Sequence, residues 1–443
     1  MLNGLLNRLL SKSKPPHPST PAAATPASSA PGPRPVVERA AAAAPAGVGA
    51  RRPLVSANGG LAGFEFHAAA LDPRRMRRAD DAAVAAAYTG NVLGAMRLCT
   101  SQGLSALAEL PATWLMRCER DDLFTPGMHL LVRTDPAADQ PASACALATR
   151  LRALGVQVGW DPTNGDALAP AAALQPDFVP LRAPGASNAQ AWRGAVSAAG
   201  ARWRGVPLVL LDLPAVEVLE SVLGPGVLLA ACSVATCAVP ARVQALPAQS
   251  QRLLRLLDRL LHDDDNAGVV DEIKADAALS LRLLHYLNSA GATPGRELDS
   301  IEQAVLVLGR DKLYRWIAQM LVRMSPPRPA ADALQSLALA RARMLELLAR
   351  AEGAHNPGSL YLLGLASMLP LLLQCSLADA GEALCLSASA VAALERKDGP
   401  WGAHLRLLEA LEANDIDGAA SLATPFGGLD AVLALWTEAW RPR

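Results

Sequence analysis

The sequence predicts two folds in series, a reduced α/β barrel and then an all-α bundle, behind an unstructured N-terminal tail. Three observations predict this multidomain α/β plus all-α class. Between residues 54 and 241, apolar runs of strand length alternate with helical stretches, as in a parallel sheet with helices outside. From 242 to 443 the strand-like runs stop, and amphipathic helix follows amphipathic helix. Residues 1–53 are dominated by Pro, Ala and Ser.

The tail comes first. PPHPSTPAAATPASSAPGPRP and AAAAPAGVGARRP hold too little apolar surface to offset their ordering entropy, so 1–53 is predicted disordered. Within it, residues 2–12 place Leu2, Leu5, Leu6, Leu9 and Leu10 on one helical side. One reading is a short amphipathic helix making weak peripheral membrane or partner contact. The preferred reading is a frayed terminus, because isolated helices this short are marginal in water. Asn7 and Arg8 interrupt the apolar run, unlike a secretory signal.

In the barrel region GLAGFEF, ATWLMR, MHLLVR, VQVGWD, DFVPLR, PLVLLD and GVLLAA read as strands. DDAAVAAAYTGNVLGAMRL, ACALATRLRALG, NAQAWRGAVSAAG and PAVEVLESVLG read as the intervening helices. The region is shorter than the ~250 residues of a full eight-fold barrel, so a reduced or incomplete one is predicted.

In the bundle region, Leu253, Leu256, Leu257, Leu260 and Leu261 follow helical spacing. Asp276 is placed to cap the next long helix and Gly291 to end it. Ser300 with Gln303 reads as a capping box, and Gly309 closes that helix. SPPRP (325–329) interrupts the bundle. SLYLLGLASMLPLLLQ is apolar nearly all round and reads as a central helix, interrupted at Pro370.

Composition removes several classes of function. Lys+Arg and Asp+Glu are equal at 41 each, with no basic stripe, and aromatics are 4%. Neither phosphate contacts nor base stacking is favoured, so no nucleic-acid partner is expected. Seven cysteines with no C-x-x-C speak against a disulfide framework or structural zinc and for free thiols in a reducing cytoplasm. No apolar run reaches the ~18 residues of a membrane span. There is no G-x-x-x-x-G-K-[ST] loop and no G-x-S-x-G elbow.

The stretches KADAALSLRLLHYLNSA (274–290) and LDSIEQAVLVLGRDKLYRWI (298–317), with their helical lead-in, resemble the HDOD domain over residues 246–324. The HDOD domain is a helical output domain related to metal-dependent HD phosphohydrolases. The likeness continues to about residue 420, so 242–443 is taken as HDOD-like. The resemblance implies protein–protein signalling. HD hydrolases carry a His-Asp pair in a Gly-Leu-Leu-His-Asp-Ile-Gly segment. Here the matching residues are Gly364, Leu365, Ala366, Ser367, Met368, Leu369 and Pro370, so Ser367 and Met368 stand where His and Asp are expected. An earlier ligand position reads Leu334-Gln335-Ser336-Leu337. His262 with Asp263, Asp264 and Asp265 lies at a helix end and reads as a solvated terminus.

Residues 54–241 resemble a degenerate EAL domain, the TIM-like barrel of cyclic di-GMP phosphodiesterases. Glu65 in GFEF matches that family's metal-binding Glu. In VGWDPTNG, Trp160 replaces the first Asp of an Asp-Asp pair and Asp161 keeps the second. Pro180 and Arg182 fall where a catalytic Lys and an Asp are expected, Arg133 falls near a ligand Glu, and Asp212 near a late Glu. A pair of catalytic metals needs several carboxylates, and Trp, Pro and Arg remove them.

The combined expectation is a cytoplasmic, non-catalytic signalling adaptor with no cofactor, acting on unknown signalling proteins through the bundle. The alternatives are a non-hydrolysing cyclic di-GMP receptor, which the eroded motifs disfavour, and a residual phosphodiesterase. Glu65, Arg133, Asp161, Arg182 and Asp212 are either a vestigial ligand pocket or unselected strand-end residues. Arg282, His285, Tyr314, Arg315 and Trp316 are candidate partner contacts, with core packing the competing reading for the tryptophan.

Overall fold

The computed structural model describes residues 51–66, 82–134, 140–160, 175–183, 185–232, 245–261, 266–289, 300–354, 357–384, 386–413 and 415–440. The expected termination at Gly291, the acidic run after His262, Asp161, residues 2–12 and most of the tail lie outside these residues. Arg51–Pro53, assigned to the tail from sequence, are instead the start of the first strand.

Eight strands form one sheet: β1 (Arg51–Ser56), β2 (Leu61–Phe66), β3 (Ser105–Pro111), β4 (Met128–Arg133), β5 (Gln157–Gly159), β6 (Val179–Leu181), β7 (Leu208–Leu213) and β8 (Val227–Cys232). Their order is β5-β4-β3-β2-β1-β8-β7-β6. β1 runs antiparallel to β2 and β8, and the other neighbours run parallel. A bridge between Gly159 and Phe178 joins the two edges, so the sheet is a nearly closed barrel. Gly159 is required there, because a Cβ would meet the Phe178 ring at 2.5 Å.

Side chains alternate across each strand. The inward set includes Leu54, Leu107, Leu131, Phe178, Val209, Leu211, Leu229 and Ala231, which fill the barrel with apolar bulk. The outward residues of β2 to β5 pack against helices α1 (Ala82–Thr100), α2 (Ala112–Met116) and α3 (Pro141–Ala153). The expected strand ATWLMR is the second of these helices. Pro111 ends β3 and sits at the helix N-cap, so the strand is the preceding SALAELP.

Helices α4 (Ala189–Arg202) and α5 (Val216–Val222) complete the barrel's own outer layer. The bundle comprises α6 (Ala248–Leu261), α7 (Asn266–Lys274), α8 (Ala277–Ser289), α9 (Ile301–Leu308), α10 (Arg310–Arg323), α11 (Ala331–Ala351), α12 (Pro357–Ala366), α13 (Leu369–Leu373), α14 (Leu377–Ala383), α15 (Ala388–Arg396), α16 (Gly402–Glu412), α17 (Ile416–Leu422) and α18 (Leu429–Ala439).

Local signals set these boundaries. Asp276 accepts from the N–H groups of Ala278 and Leu279, Ser300 accepts from Gln303 N–H, and Gly309 ends α9 at φ 73°. The apolar central run splits into α12 and α13 with Pro370 at the start of the second. Leu360 to Ala366 are all buried, and Gly364 lets α12 approach α11 so closely that a Cβ would lie 2.7 Å from Ala342 Cα.

Barrel and bundle share one apolar core. Leu208, Leu210, Val216 and Leu219 belong to the same buried cluster as Leu334, Leu337 and Leu345. Pro53 and Val55 of β1 face Ala330, Ala333, Leu334 and Leu337 across an apolar cavity of about 20 Å³. On another side, Trp440 packs edge-on against Phe64 with ring centres 4.6 Å apart. Bundle helices thus cover part of the barrel wall, and the barrel manages with fewer helices of its own.

Candidate functional site

The parallel strands end at one mouth, and the antiparallel β1 begins there. Its register puts Arg52 directly opposite Glu65. Arg52 Nε donates to Glu65 Oε2 at 2.7 Å, and a terminal nitrogen donates to Asp212 Oδ1 at 2.9 Å. Arg182, just past β6, donates to Asp212 Oδ2 at 3.1 Å and to Glu109 Oε2 at 2.8 Å. Arg133, at the end of β4, lies 3.8 Å from Glu109 Oε1. Three guanidiniums and three carboxylates therefore alternate across the mouth.

The network is graded in depth. Arg52 and Glu65 side chains are 9% and 5% exposed, whereas Arg182 and Asp212 are 41% and 55% exposed. Burial opposes the Arg52 charge, but Glu65 and Asp212 outweigh it and hold its pKa above the ordinary arginine value. Asp212 adopts the left-handed conformation at φ 61°, where the β7–β8 register shifts. Asp tolerates that region better than most residues. The turn directs its carboxylate to both arginines.

Four of the five residues singled out from sequence as a pocket (Glu65, Arg133, Arg182 and Asp212) meet here. The fifth, Asp161, lies outside the described residues. Sequence reasoning missed Arg52 and Glu109. The signal for Glu109 was its period-two spacing from Leu107, and for Arg52 its spacing from Leu54.

A divalent metal site would need these carboxylates free, and the donor set does not fit one. Each of Glu65, Glu109 and Asp212 already has a guanidinium beside it. Among the described residues no group of three or more His, Cys, Asp or Glu side chains is placed to hold a metal ion. The buried thiols Cys99 and Cys375 are pushed up to about 11 by burial, away from nucleophilic character.

The bundle has its own charged centre. Arg341 on α11 and Glu412 on α16 form a bidentate pair, both side chains 4% exposed, with the Arg341 Nε–Glu412 Oε1 contact at 2.7 Å. Arg341 also donates to Ser367 Oγ at 3.1 Å, and Ser367 Oγ donates to Gly364 O at 2.7 Å. Ser367 is the residue where the resemblance expects a histidine ligand. Met368, expected as aspartate, is buried. Nothing in the sequence pattern paired Arg341 with Glu412, 71 positions away.

The proposed partner-contact set divides. Arg282 and His285 are exposed on α8. Tyr314 and Trp316 are buried, which corrects the surface assignment. Tyr314 packs edge-on to Tyr361, and Trp316 lies beside Tyr286. Arg315 is mostly buried, pairs with Glu346 and lies over the Tyr361 ring. Placing aromatic residues on the bundle side of α10 buries apolar area that exposure would have left in water. No helix among the described residues is long and apolar enough to cross a membrane.

Comparison with known proteins agrees with the helical half. Residues 245–396 match the HDOD domain family. An uncharacterized protein, YuxH of Bacillus subtilis, is 28% identical over 170 residues, 38% of this chain and 42% of its own length. The cyclic di-GMP phosphodiesterase CdgJ of Vibrio cholerae is 32% identical over 149 residues, 33% of this chain and 34% of its own. The chain thus spans less than half the length of either relative. A solved EAL domain protein from Listeria monocytogenes is 14% identical with a TM-score of 0.32, over 42% of this chain and 86% of that one. The expected architecture, a TIM-like barrel followed by a helical bundle, is the one observed. Residues 245–396, the part that matches the HDOD domain family, thus follow an eight-stranded barrel in the same chain.

Proposed function

We propose that this protein is a non-catalytic signal-transduction adaptor of the cytoplasm, acting through protein–protein contacts of its HDOD domain. The observation that carries the reading is the mouth network, in which guanidiniums sit beside Glu65, Glu109 and Asp212. A metal-activated water needs anionic ligands with room for the ion. Arg52 supplies a fixed positive charge in the same space. The Arg341–Glu412 pair beside Ser367 supports the same reading for the bundle.

A second reading is a receptor that binds cyclic di-GMP without cleaving it. The half-exposed Arg133 and Arg182 favour it, because guanidiniums recognise phosphate oxygens. The name of the Vibrio relative makes this nucleotide the one to try. The test is calorimetric titration of the full chain with cyclic di-GMP and magnesium, with chromatography of the same sample for linear product. The adaptor reading expects neither heat nor product. Saturable heat without product would establish the receptor, and product would overturn both.

A further inference from the structure

We infer that the proline-rich strap Ser325–Ala330 is a coupling element that carries the state of the barrel mouth to the interrupted central helix of the bundle. The inference goes beyond the proposed function and stands whether or not the barrel is catalytic.

The path begins at Asp212. Its left-handed turn is held by Arg52 and Arg182, and four residues later the chain enters α5. Glu220 on α5 receives Arg328 of the strap as a bidentate pair, at 2.7 and 2.8 Å. The same carboxylate accepts the Ala330 N–H at 3.1 Å. Arg328 is 8% exposed, so the pair is a sealed, directional contact. Another of its nitrogens donates to Leu371 O at 3.0 Å. Leu371 lies in α13, which starts two residues after Ser367, the partner of Arg341.

The strap is also pinned to the barrel at a second point. Gly59, in the β1–β2 turn at φ 87°, lies so close to Pro329 that a Cβ would sit 1.5 Å from its carbonyl oxygen. Pro326, Pro327 and Pro329 fix φ along the strap and leave it little freedom to absorb a displacement. A shift of α5 caused by releasing Asp212 must therefore move Arg328. Arg328 in turn either moves α13 or breaks its bond to Leu371. Packed interiors pass on such shifts because they deform little.

The test is hydrogen–deuterium exchange on the full chain in four forms: wild type, Asp212→Asn, Glu220→Gln and the double variant. Asp212→Asn is expected to speed exchange of the 369–373 amides about tenfold, and to add less than about twofold once Glu220→Gln has cut the link. A folded Asp212→Asn protein with wild-type exchange at 369–373 would overturn the inference. So would an equal increment in both backgrounds. Should Asp212→Asn fail to fold, Arg182→Gln loosens the same carboxylate from its exposed side and enters the cycle with the same two outcomes.

Discussion

The barrel mouth and the bundle interior both hold arginine against carboxylate, but they hold it differently. In the mouth, six ions alternate from a buried end at Arg52 and Glu65 to a half-exposed end at Arg182, Asp212, Glu109 and Arg133. In the bundle, Arg341 and Glu412 are sealed, with Ser367 as a neutral partner. An exposed ion keeps much of its hydration, so losing its partner costs little. A sealed ion has lost its hydration and depends on its partner. The outer pairs of the mouth can therefore separate at little cost, and the bundle pair cannot separate without local unfolding.

The largest expected effect tests the sealed end of that comparison. Arg341→Ala should cost about 3–5 kcal/mol in urea unfolding, because Glu412 would be left charged and buried. Replacing both partners by apolar residues, Arg341→Met with Glu412→Leu, should recover most of the loss. A cost below ~1 kcal/mol for Arg341→Ala would mean the pair is not sealed.

Next comes the gradient within the mouth. Arg52→Ala should cost about 3 kcal/mol, since it strands the buried Glu65. Arg182→Ala should cost no more than about 1 kcal/mol, since its partners are partly hydrated. Equal losses would erase the gradient. Raising salt from ~0.1 to ~1 M should shrink the Arg182→Ala cost and leave that of Arg341→Ala nearly unchanged, as read by the same unfolding curves.

The smallest effect concerns His129, inside the barrel on β4, where its ring stands edge-on to Phe178 with centres 5.7 Å apart. Burial lowers its pKa, although a contact to Gly127 O at 3.1 Å works the other way. The unfolded chain then takes up a proton before the folded one does, so stability is lost as pH falls through the ordinary histidine value. His129→Gln should flatten the stability profile between about pH 7 and 5, with an effect on the order of 1 kcal/mol. An unchanged slope would remove His129 as its source.

What the sequence made legible was mostly local. Asp276, Ser300, Gly309 and Pro370 announce their helix boundaries within a few residues, and the strand–helix alternation points to a barrel. Strand β1 was hidden because RRPLVS follows directly on a Pro- and Ala-rich stretch and carries a proline of its own, leaving too short an apolar run to read as a strand. Losing β1 hid Arg52, and with it the charge that neutralises Glu65 and Asp212. Taken one by one, Glu65 matched a metal-binding Glu and Asp212 lay near the place of another. Only β1, with Arg52 opposite Glu65 and within hydrogen-bond reach of Asp212, shows them bridged. Trp316 and Tyr314 misled in the opposite direction, because hot-spot chemistry and core packing draw on the same residue types.

Guanidiniums hold the space a metal would need at the barrel mouth. Titration of the full chain with manganese(II), followed by calorimetry, tests this most directly. The expected result is no saturable binding at millimolar metal for either wild type or Glu65→Gln. A stoichiometric manganese site in wild type that disappears in Glu65→Gln would mean that Arg52 does not exclude a metal ion and that the barrel mouth is a metal site after all.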